Sequence, residues 1–387
     1  KGEIVDWYVT FVNPGKPIPE DVAHLTNMNI LYLIGNGFDL NLGLKTSYKD
    51  FLNYYKALKM DHQKDSILRF IFYIEDKKLL GDPNWSDIEI QMGQYTETFT
   101  TPDSEEVAKD FHDDLVFALS EYIKTQCDII QYTQDVEKDM CKYLSFPEMN
   151  EKLLPSEQRD FKSSFRKRWE GVTRWNLNII TFNYTNTLET IIKPKIGKEL
   201  GTYFPATNKG NIFLNTIEHI HGFVDDRLIL GLDNVSQIAN VDLRKTPAMN
   251  WYLKSRSNTL TGQEHDNRCR NLITEAHLIC LFGFSIGDTD KQWWANIVNR
   301  LKSDNHCRLI IYVYDPNAKF NNLQYARLDE YRQKQKDFFL KQSGVTLSAD
   351  QMNSIKSRIL IALNSDMFKF NVNPNANQEI YEISLPA

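Results

Sequence analysis

The chain has 387 residues, more than the roughly 250–300 at which a single hydrophobic core stops growing, so we expect one large domain with an insertion or two domains. Its 45 basic and 51 acidic side chains give a formal net charge of −6, which lacks the basic excess of a bulk nucleic-acid binder and makes direct nucleic-acid binding unexpected. The apolar runs are shorter than the roughly 18–20 residues of a membrane helix, and the first residues show no signal-peptide pattern. The five scattered cysteines form no CxxC pair. Together these features lead us to expect a cytoplasmic protein without a structural zinc site.

The first strong element is an apolar run at residues 29–34 that ends in Gly35-Asn36-Gly37. Near-continuous apolarity ended by glycines indicates a strand buried on both faces. Residues 1–27, with two proline-containing breaks, are interpreted as a leader or small appendage. A helix is predicted over residues 47–59 from its apolar spacing.

Residues of about 60–170 are polar and have helical periodicity, which predicts a large helical insertion after the first strand–helix unit. Within it, Asp87 and Glu89 follow Trp85-Ser86. Ser86 or Asp87 would serve as a helix cap. Glu89 is either a solvated surface residue or a buried carboxylate that orients a ribose hydroxyl, and the sequence leaves both alternatives open.

Strand signals return after the insertion and alternate with helical segments. Strands are predicted at residues 177–182, 217–220, 228–230, 277–282 and 309–314, and helices at residues 185–192, 249–260, 290–301 and 318–334. This alternation predicts an α/β fold with a Rossmann-like parallel sheet and helices on both faces. The domain is expected to span residues 28–330. Residues 331–387 are expected to form a mainly helical tail with a short strand near 368–372.

Polar and glycine residues follow four of the apolar runs directly. In open parallel sheets, ligands bind outside the carboxyl ends of the strands, so these residues are expected to line one cleft. The candidates are Gly35, Asn36, Gly37, Phe38, Asp39, Thr181, Asn183, His221, Gly283, Ser285 and Asp315.

Several of these residues also have a structural interpretation. The Gly35–Gly37 segment departs from the G-x-G-x-x-G fingerprint, since Leu40 stands at the third glycine, and it would also fit a tight strand-to-helix turn. Asn183 would also fit a cap for the following helix. His219 and His221 are spaced to share one strand face, but a third metal ligand is not visible, so we interpret His219 as structural and His221 as functional.

The motifs resemble those of the AbiH family of bacterial abortive-infection proteins. The segment 33–48, which contains Gly-Asn-Gly-Phe-Asp-Leu, resembles that family's opening block, and residues 84–89 resemble its second block. Residues 181–189, the pair His221-Gly222 and residues 283–290 resemble the later blocks, in the same order. The resemblance covers residues from about 29 to about 317.

AbiH proteins are in turn similar to the sirtuin-like superfamily of NAD-binding Rossmann domains, and this resemblance implies roles for the candidates. By it, Gly35 and Gly37 bind the NAD phosphates, Asn183 contacts the nicotinamide ribose, and His221 is catalytic. We predict His221 and Asn183 as the catalytic residues, with Asn183 positioning the ribose or the attacking water through its amide. Gly283 and Ser285 lie near phosphate and ribose, and Asp315 contacts the adenosine ribose. The chain lacks the four paired zinc-binding cysteines of deacetylating sirtuins, which disfavours protein deacetylation.

The resulting hypothesis is an NAD⁺ glycohydrolase that yields nicotinamide and ADP-ribose and needs no cofactor beyond NAD⁺ as substrate. An enzyme that destroys NAD⁺ needs control, so a phage-derived or protein activator, a homo-oligomer or a defence complex is expected. The alternatives are a nuclease or other nucleotide hydrolase, a non-catalytic NAD or ADP-ribose sensor, and a structural module of a defence complex. A nuclease would use carboxylates on Mg²⁺, for which the candidates are Asp39, Asp87, Glu89, Asp288 and Asp290.

Overall fold

A computed structural model describes residues 27–370 except 83–86, 129–133, 145–151, 167–171, 173, 205–208, 225, 261–263 and 321–322. The leader predicted at residues 1–27 lies almost entirely outside the described part, as do Trp85, Ser86 and the end of the predicted tail. The described chain forms one seven-stranded sheet. Its strands are β1 Asn27–Ile34, β2 Arg174–Thr181, β3 Glu199–Phe204, β4 Lys209–His219, β5 Leu278–Phe282, β6 Arg308–Val313 and β7 Ile359–Leu363.

The strands lie in the order β3-β4-β2-β1-β5-β6-β7. Only β3 is antiparallel, on the edge beside β4, and the other six strands are parallel. Numbered among themselves along the chain, these six follow the order 3-2-1-4-5-6 of doubly wound nucleotide-binding sheets. The strand order reverses between β1 and β5, so the loops that leave these two strands flank the crevice in which such sheets bind ligands.

The helices of the described residues fall between the strands in the expected alternating manner. They are α1 Gly37–Asn41, α2 Tyr48–Ala57, α3 Asp65–Leu79, α4 Ile88–Tyr95, α5 Ser104–Cys127, α6 Gln134–Tyr143, α7 Pro155–Asp160, α8 Thr187–Ile192, α9 Lys254–Leu260, α10 His265–Glu275, α11 Lys291–Ser303, α12 Tyr325–Ser343 and α13 Ala349–Lys356, with a π-helical segment Phe161–Arg166 after α7. The first seven lie between β1 and β2, and α3–α7 fall within the helical insertion that the sequence predicts at about residues 60–170.

Both faces of the sheet are covered, as the alternating residues of β1 demonstrate. Ile30 and Tyr32 belong to a core that also contains side chains of α6 and α8. Leu31 and Leu33 belong to a second core on the opposite face, shared with α10–α13. Since successive strand residues point to opposite faces, this division confirms an α/β sandwich of three layers.

The helical insertion has its own core. Side chains of α2–α5 pack there against the loop segment that follows β4, including Leu230, Leu232 and Tyr252. Two hydrogen bonds join the same segments, one from the Tyr252 hydroxyl to the Ala108 carbonyl at 2.7 Å and one from Asn240 Nδ2 to the Phe99 carbonyl at 2.8 Å. The insertion is therefore fastened to the loops beyond β4, which brings α4 to the predicted site.

The sequence interpretation differs from the structure at the ends of the sheet. The strand predicted at 228–230 is reduced to a single bridge between Gly222 and Leu228, and β3 was not predicted. Residues 368–370 are not a strand, so that prediction is wrong; the strand of the tail is β7, which pairs with β6. Among the described residues, no helix is both long and apolar enough to cross a bilayer.

Candidate functional site

The loops that leave β1 and β5 are in direct backbone contact. The Gly35 amide donates to the Phe282 carbonyl at 2.8 Å, and the Gly37 amide donates to the Gly283 carbonyl at 2.9 Å. A Cβ on Gly37 would lie 2.5 Å from the Gly283 Cα, closer than any side chain tolerates. The glycines are thus explained by the approach of two loops, and their predicted contact with phosphate stays a prediction.

The two residues beside these glycines hold the loop in place. Asn36 Oδ1 accepts a hydrogen bond from the Thr46 hydroxyl at 2.5 Å, and its Nδ2 donates to the Thr46 carbonyl at 3.1 Å. Phe38 is fully buried and its ring lies 5.3 Å from that of Phe368 in an edge-to-face contact. Phe38 therefore has the position of a core residue, and a direct contact with a ligand does not fit it.

His221 lies two residues after β4 and is part of a buried ionic network. Its Nε2 lies 3.0 Å from Asp290 Oδ1, in the turn that precedes α11. Because a carboxylate only accepts, Nε2 carries the proton and Nδ1 is the lone-pair atom. Nδ1 is buried and has no hydrogen-bond partner among the described residues. His221 thus presents an unprotonated Nδ1, because the Asp290 carboxylate fixes the tautomer of the imidazole ring.

The glycine after His221 permits this turn. Gly222 has a φ of 68°, in the region that favours glycine. A Cβ at this position would lie 1.5 Å from the Arg227 carbonyl oxygen. The His-Gly pair is therefore required by the backbone that carries the imidazole.

Lys254, the first residue of α9, joins Asp290 to the insertion. Its ammonium lies 3.1 Å from Asp290 Oδ1 and 2.9 Å from Glu89 Oε2, and it also donates to the Thr289 carbonyl at 3.3 Å. All three of its donors are used, and the residue is only 1% exposed. One buried cation therefore bridges two carboxylates that come from distant parts of the chain.

Glu89 of α4 is the residue that the sequence leaves undecided, and it is buried in this network. Its second oxygen, Oε1, accepts from the Gly231 amide at 3.3 Å and lies 3.4 Å from the Tyr184 hydroxyl. A solvated surface role is therefore wrong for Glu89. Asp87 caps α4 by accepting from the Ile90 amide at 3.1 Å, which confirms the predicted capping role.

The surroundings of the network shift the pKa values of its two carboxyl groups in opposite directions. Burial raises the pKa of Glu89 to about 7, against the opposing effect of Lys254. Burial acts in the same sense on Asp290, but Lys254 and His221 outweigh it and hold the pKa of Asp290 below its usual range. Burial and the Lys254 charge lower the pKa of His221 to about 4. Near neutral pH, Asp290 is therefore a carboxylate, His221 is neutral, and Glu89 is partly protonated.

Asn183 belongs to a second buried cluster, together with Asp39. The backbone N–H of Asn183 donates to Thr181 Oγ1 at 3.1 Å. The Thr185 hydroxyl donates to Asp39 Oδ2 at 2.8 Å. The side chains of Asn183 and Thr187 lie beside the Asp39 carboxylate and stabilise its charged form, while burial raises its pKa to about 7. Thr181 thus shapes the turn that presents Asn183, and Asp39 faces inward beside it.

The two predicted catalytic side chains are close along the sheet but have different partners. Asn183 and His221 follow neighbouring strands, and the rings of Phe182 and Tyr184 lie 5.3 and 6.5 Å from the His221 ring. The Asn183 carbonyl, however, faces His219 Nδ1 at 3.2 Å. His219 also lies 2.7 Å from Glu189 Oε1, in agreement with its predicted structural role.

Both predicted catalytic residues are closed off from solvent. Asn183 is 5% exposed and His221 is 3% exposed. Two surface cavities lie nearby along α8, beside Glu189, Lys193 and Phe223, and neither is lined by Asn183 or His221. Neither of these two cavities therefore brings a dinucleotide into contact with Asn183 or His221.

The remaining predicted site residues lie at the same edge of the sheet but outside both clusters. Ser285 is exposed in the loop after β5, two residues after Gly283. Asp315, after β6, accepts from the Asn317 amide at 2.9 Å and from the Tyr331 hydroxyl at 2.8 Å. Asp315 therefore closes a turn, and its predicted contact with adenosine ribose stays a prediction.

Sequence reasoning missed Lys254 altogether and considered Asp290 only as a nuclease carboxylate. No local signal marks Lys254, because lysine on a polar helix is usually solvated. Among the described residues, His, Cys, Asp and Glu do not gather into a group of three that could hold a metal ion. Of the carboxylates proposed for a metal, Glu89 and Asp290 do converge, with the ammonium of Lys254 between them.

Comparison with known families agrees with the position of these motifs. The family model described as Bacteriophage abortive infection AbiH matches residues 31–312, a span that begins in β1 and ends in β6 and contains every network residue named above. No curated protein matches the chain.

Proposed function

The chain belongs to the AbiH family of bacteriophage abortive infection, which implies a role in that defence, and we propose that it fulfils this role as an NAD⁺ glycohydrolase. The observation that carries the proposal is the buried network of His221, Asp290, Lys254 and Glu89 at the carboxyl edge of a sheet with the dinucleotide-binding strand order. In such sheets this edge is where nucleotides bind.

The chemistry of the network fits cleavage of the nicotinamide–ribose bond. Departure of neutral nicotinamide leaves an oxocarbenium-like ribose, as in glycoside hydrolysis. A positive charge that develops in a water-excluded site is stabilised strongly by fixed carboxylates. The Asp290 carboxylate is balanced by the Lys254 ammonium, so the network becomes net negative when Glu89, with a pKa of about 7, loses its proton.

His221 supports the same reaction as a neutral hydrogen-bond acceptor. Its Nε2–H is held by Asp290 at 3.0 Å, which leaves Nδ1 to accept a hydrogen bond. A ribose hydroxyl offers such a donor, and its hydrogen bond to the neutral imidazole, whose pKa is lowered to about 4, orients the ribose without transferring a proton. Asn183, from the neighbouring strand end, contributes an amide to the same edge and positions groups without transferring protons.

The closed state of the site supports control by a second factor. Asn183 and His221 are both more than nine-tenths buried, so substrate access requires a rearrangement around them. Since α4 carries Glu89 and is fastened to Lys254 at 2.9 Å, displacement of the insertion would open the network. A phage-derived or host protein activator, or assembly into an oligomer or defence complex, would supply that displacement.

A nuclease on the same fold is less well supported. Such an enzyme would bind Mg²⁺ between converging carboxylates, but between Glu89 and Asp290 the position of a cation is taken by the Lys254 ammonium. Metal-dependent loss of DNA or RNA in the test below would favour the nuclease instead.

The direct test is release of nicotinamide and ADP-ribose from NAD⁺, measured by mass spectrometry. The full chain is incubated with NAD⁺ alone and with lysates of uninfected and phage-infected cells, and His221→Ala and Asn183→Ala serve as matched variants. We expect release in at least one condition and its loss in both variants, with unchanged circular dichroism. Equal release by the variants, or none from the unsubstituted chain in any condition, would contradict the proposal.

A further inference from the structure

Four polar side-chain atoms behind the glycine loop are buried without a hydrogen-bond partner among the described residues. They are Asp39 Oδ1, Asn183 Oδ1, Asn183 Nδ2 and Thr187 Oγ1. Their residues are 1%, 5% and 1% exposed, and the side chains of Asn183 and Thr187 lie beside the Asp39 carboxylate. Asn183 and Thr187 approach the Asp39 carboxylate closely enough to stabilise its charge, but none of the four atoms has a partner within hydrogen-bond distance in the described part of the chain, so they form one cluster around that carboxylate.

Such a group of atoms indicates a bound polar molecule. A buried polar group without a partner costs about 1–3 kcal/mol, and native structures leave few of them unexplained. A buried water typically makes about three hydrogen bonds to groups of this kind. Asp39 offers an acceptor, Thr187 a hydroxyl, and Asn183 both a donor and an acceptor, so together they match the needs of one water molecule.

The region lies at the ligand-binding edge of the sheet. Asp39 is in α1, directly after the loop that leaves β1, and Asn183 follows β2, which pairs with β1 along its whole length. His221 follows β4, the next strand. The cluster therefore lies between the loop at the strand-order reversal and the ionic network of His221.

We propose that Asp39, Asn183 and Thr187 hold the water that attacks C1′ of the nicotinamide ribose, with Asp39 as its general base. This inference rests on the proposed function. The C1′–N bond breaks and its electron pair leaves with nicotinamide. The water oxygen forms the new C1′–O bond, and its proton passes to the Asp39 carboxylate and then to solvent. The products are ADP-ribose, nicotinamide and one proton.

The surroundings of Asp39 suit a base that works near neutral pH. It faces the hydroxyls of Thr185 and Thr187, the amide of Asn183 and the imidazole of His219, while burial raises its pKa to about 7. His219 is itself held by Glu189 at 2.7 Å. The hydrolysis rate should therefore rise with pH through about 7 as the Asp39 carboxyl loses its proton.

The experiment measures separately the cleavage of the nicotinamide–ribose bond and the reaction of the ribose C1′ with water. Under the conditions in which the unsubstituted chain releases nicotinamide, exchange of isotope-labelled nicotinamide into NAD⁺ is measured beside ADP-ribose formation. For Asp39→Asn we expect hydrolysis to fall about 10²- to 10⁴-fold and exchange to persist within a few-fold. The ratio of hydrolysis to exchange should lose its rise through pH 7, because ionisation of Glu89 acts on both rates and ionisation of Asp39 on hydrolysis alone. For Thr187→Val we expect a smaller fall in hydrolysis, on the order of tenfold for one lost hydrogen bond.

The matched control is Glu157→Gln, a mostly buried carboxylate held by Arg332 at 2.8 Å, which should change neither rate. Equal loss of exchange and hydrolysis in a folded Asp39→Asn variant would overturn the inference, and so would unchanged hydrolysis. A high-resolution crystal structure gives an independent answer: we expect water within about 2.6–3.2 Å of Asp39 and Asn183. A hydrogen bond between these two side chains with no water bound to either would contradict the inference. If the unsubstituted chain never releases nicotinamide, the proposed function itself fails, a result distinct from a variant that hydrolyses NAD⁺ normally.

Discussion

His221 Nε2 and Asp290 Oδ1 lie 3.0 Å apart, although 69 residues separate them in the chain. The same Asp290 oxygen accepts from Lys254 at 3.1 Å, so one carboxylate orients the imidazole and anchors the buried cation. This arrangement makes the site testable by substitutions that change one contact at a time.

The first prediction concerns the carboxylate that orients His221. In Asp290→Asn the amide can present a donor to Nε2, so the tautomer with Nδ1 unprotonated is no longer enforced. We expect kcat for NAD⁺ hydrolysis to fall about 10²-fold, the usual cost of misplacing a group that orients the substrate. Asp288→Asn, an exposed acid two residues away, is the control, and a comparable fall in both would argue against the orienting role.

The second prediction concerns the buried cation. Lys254→Met leaves Glu89 and Asp290 near each other without their shared counter-charge, and breaking a buried ion pair costs about 3–5 kcal/mol. In urea denaturation, the free energy of unfolding of Lys254→Met should therefore be about 3–5 kcal/mol lower than that of the unsubstituted chain. Adding Glu89→Gln to the variant should restore much of it, because one uncompensated carboxyl group is removed.

Lys245→Met is the matched control for that experiment, since Lys245 forms an exposed pair with Asp242 at 3.8 Å. We expect a change within about 0.5 kcal/mol, as for most surface substitutions. A Lys254→Met protein as stable as this control would show that the network does not hold α4 and α9 together.

The third prediction concerns the pH dependence of stability. Burial raises the pKa of Glu89 from 4.5 to about 7, so between these values the folded state holds a proton that the unfolded state has lost. The contribution of Glu89 to stability therefore falls as pH rises through this window and is constant above it. Glu89→Gln lacks this fall.

The free energy of unfolding of Glu89→Gln minus that of the unsubstituted chain should therefore increase with pH from about 4.5 to 7. The slope is at most about 1.4 kcal/mol per pH unit for a single proton. Thermal or urea denaturation at a series of pH values measures it. A difference that does not vary with pH would mean that Glu89 titrates in the folded state as it does in the unfolded state.

The fourth prediction concerns the contact between the loops after β1 and β5. Gly37→Ala places a Cβ 2.5 Å from the Gly283 Cα, so the loops must separate, at a cost of about 1–3 kcal/mol, as in overpacked cores. We expect lower thermal stability and weaker NAD⁺ binding by calorimetry. Gly287→Ala is the control, because nothing lies within 4 Å of its added Cβ; equal effects of the two changes would contradict the packing argument.

Much of the fold can be predicted from local pattern. The runs that became β1, β2, β5 and β6 are apolar throughout because both faces of these strands are buried, and alternation with helices predicts a parallel sheet. The edge strands were harder to recognise. β3 carries the polar and glycine residues of Glu199–Phe204, and β7 follows two helices in a segment whose helical pattern dominates its neighbourhood.

The candidate site likewise contains residues that the sequence identified and residues that it missed. Residues that follow strands, such as Asn183 and His221, were found because the carboxyl edge of a parallel sheet is defined by chain direction alone. Phe38 was misjudged because a motif does not reveal which side chain points inward. Lys254 gave no signal, since its burial depends on carboxylates 165 and 36 residues away.

The amino-acid sequence by itself determined the alternating elements, the motifs of the family and the set of polar residues at one edge of the sheet, because these depend on periodicity and on neighbours in the chain. Only the tertiary structure decided which polar residues are buried together, and therefore that Glu89, Lys254, Asp290 and His221 form one network while Asp39 and Asn183 form another. The physical reason is that burial and the pairing of charges arise from contacts between segments far apart in the chain, which local pattern does not encode.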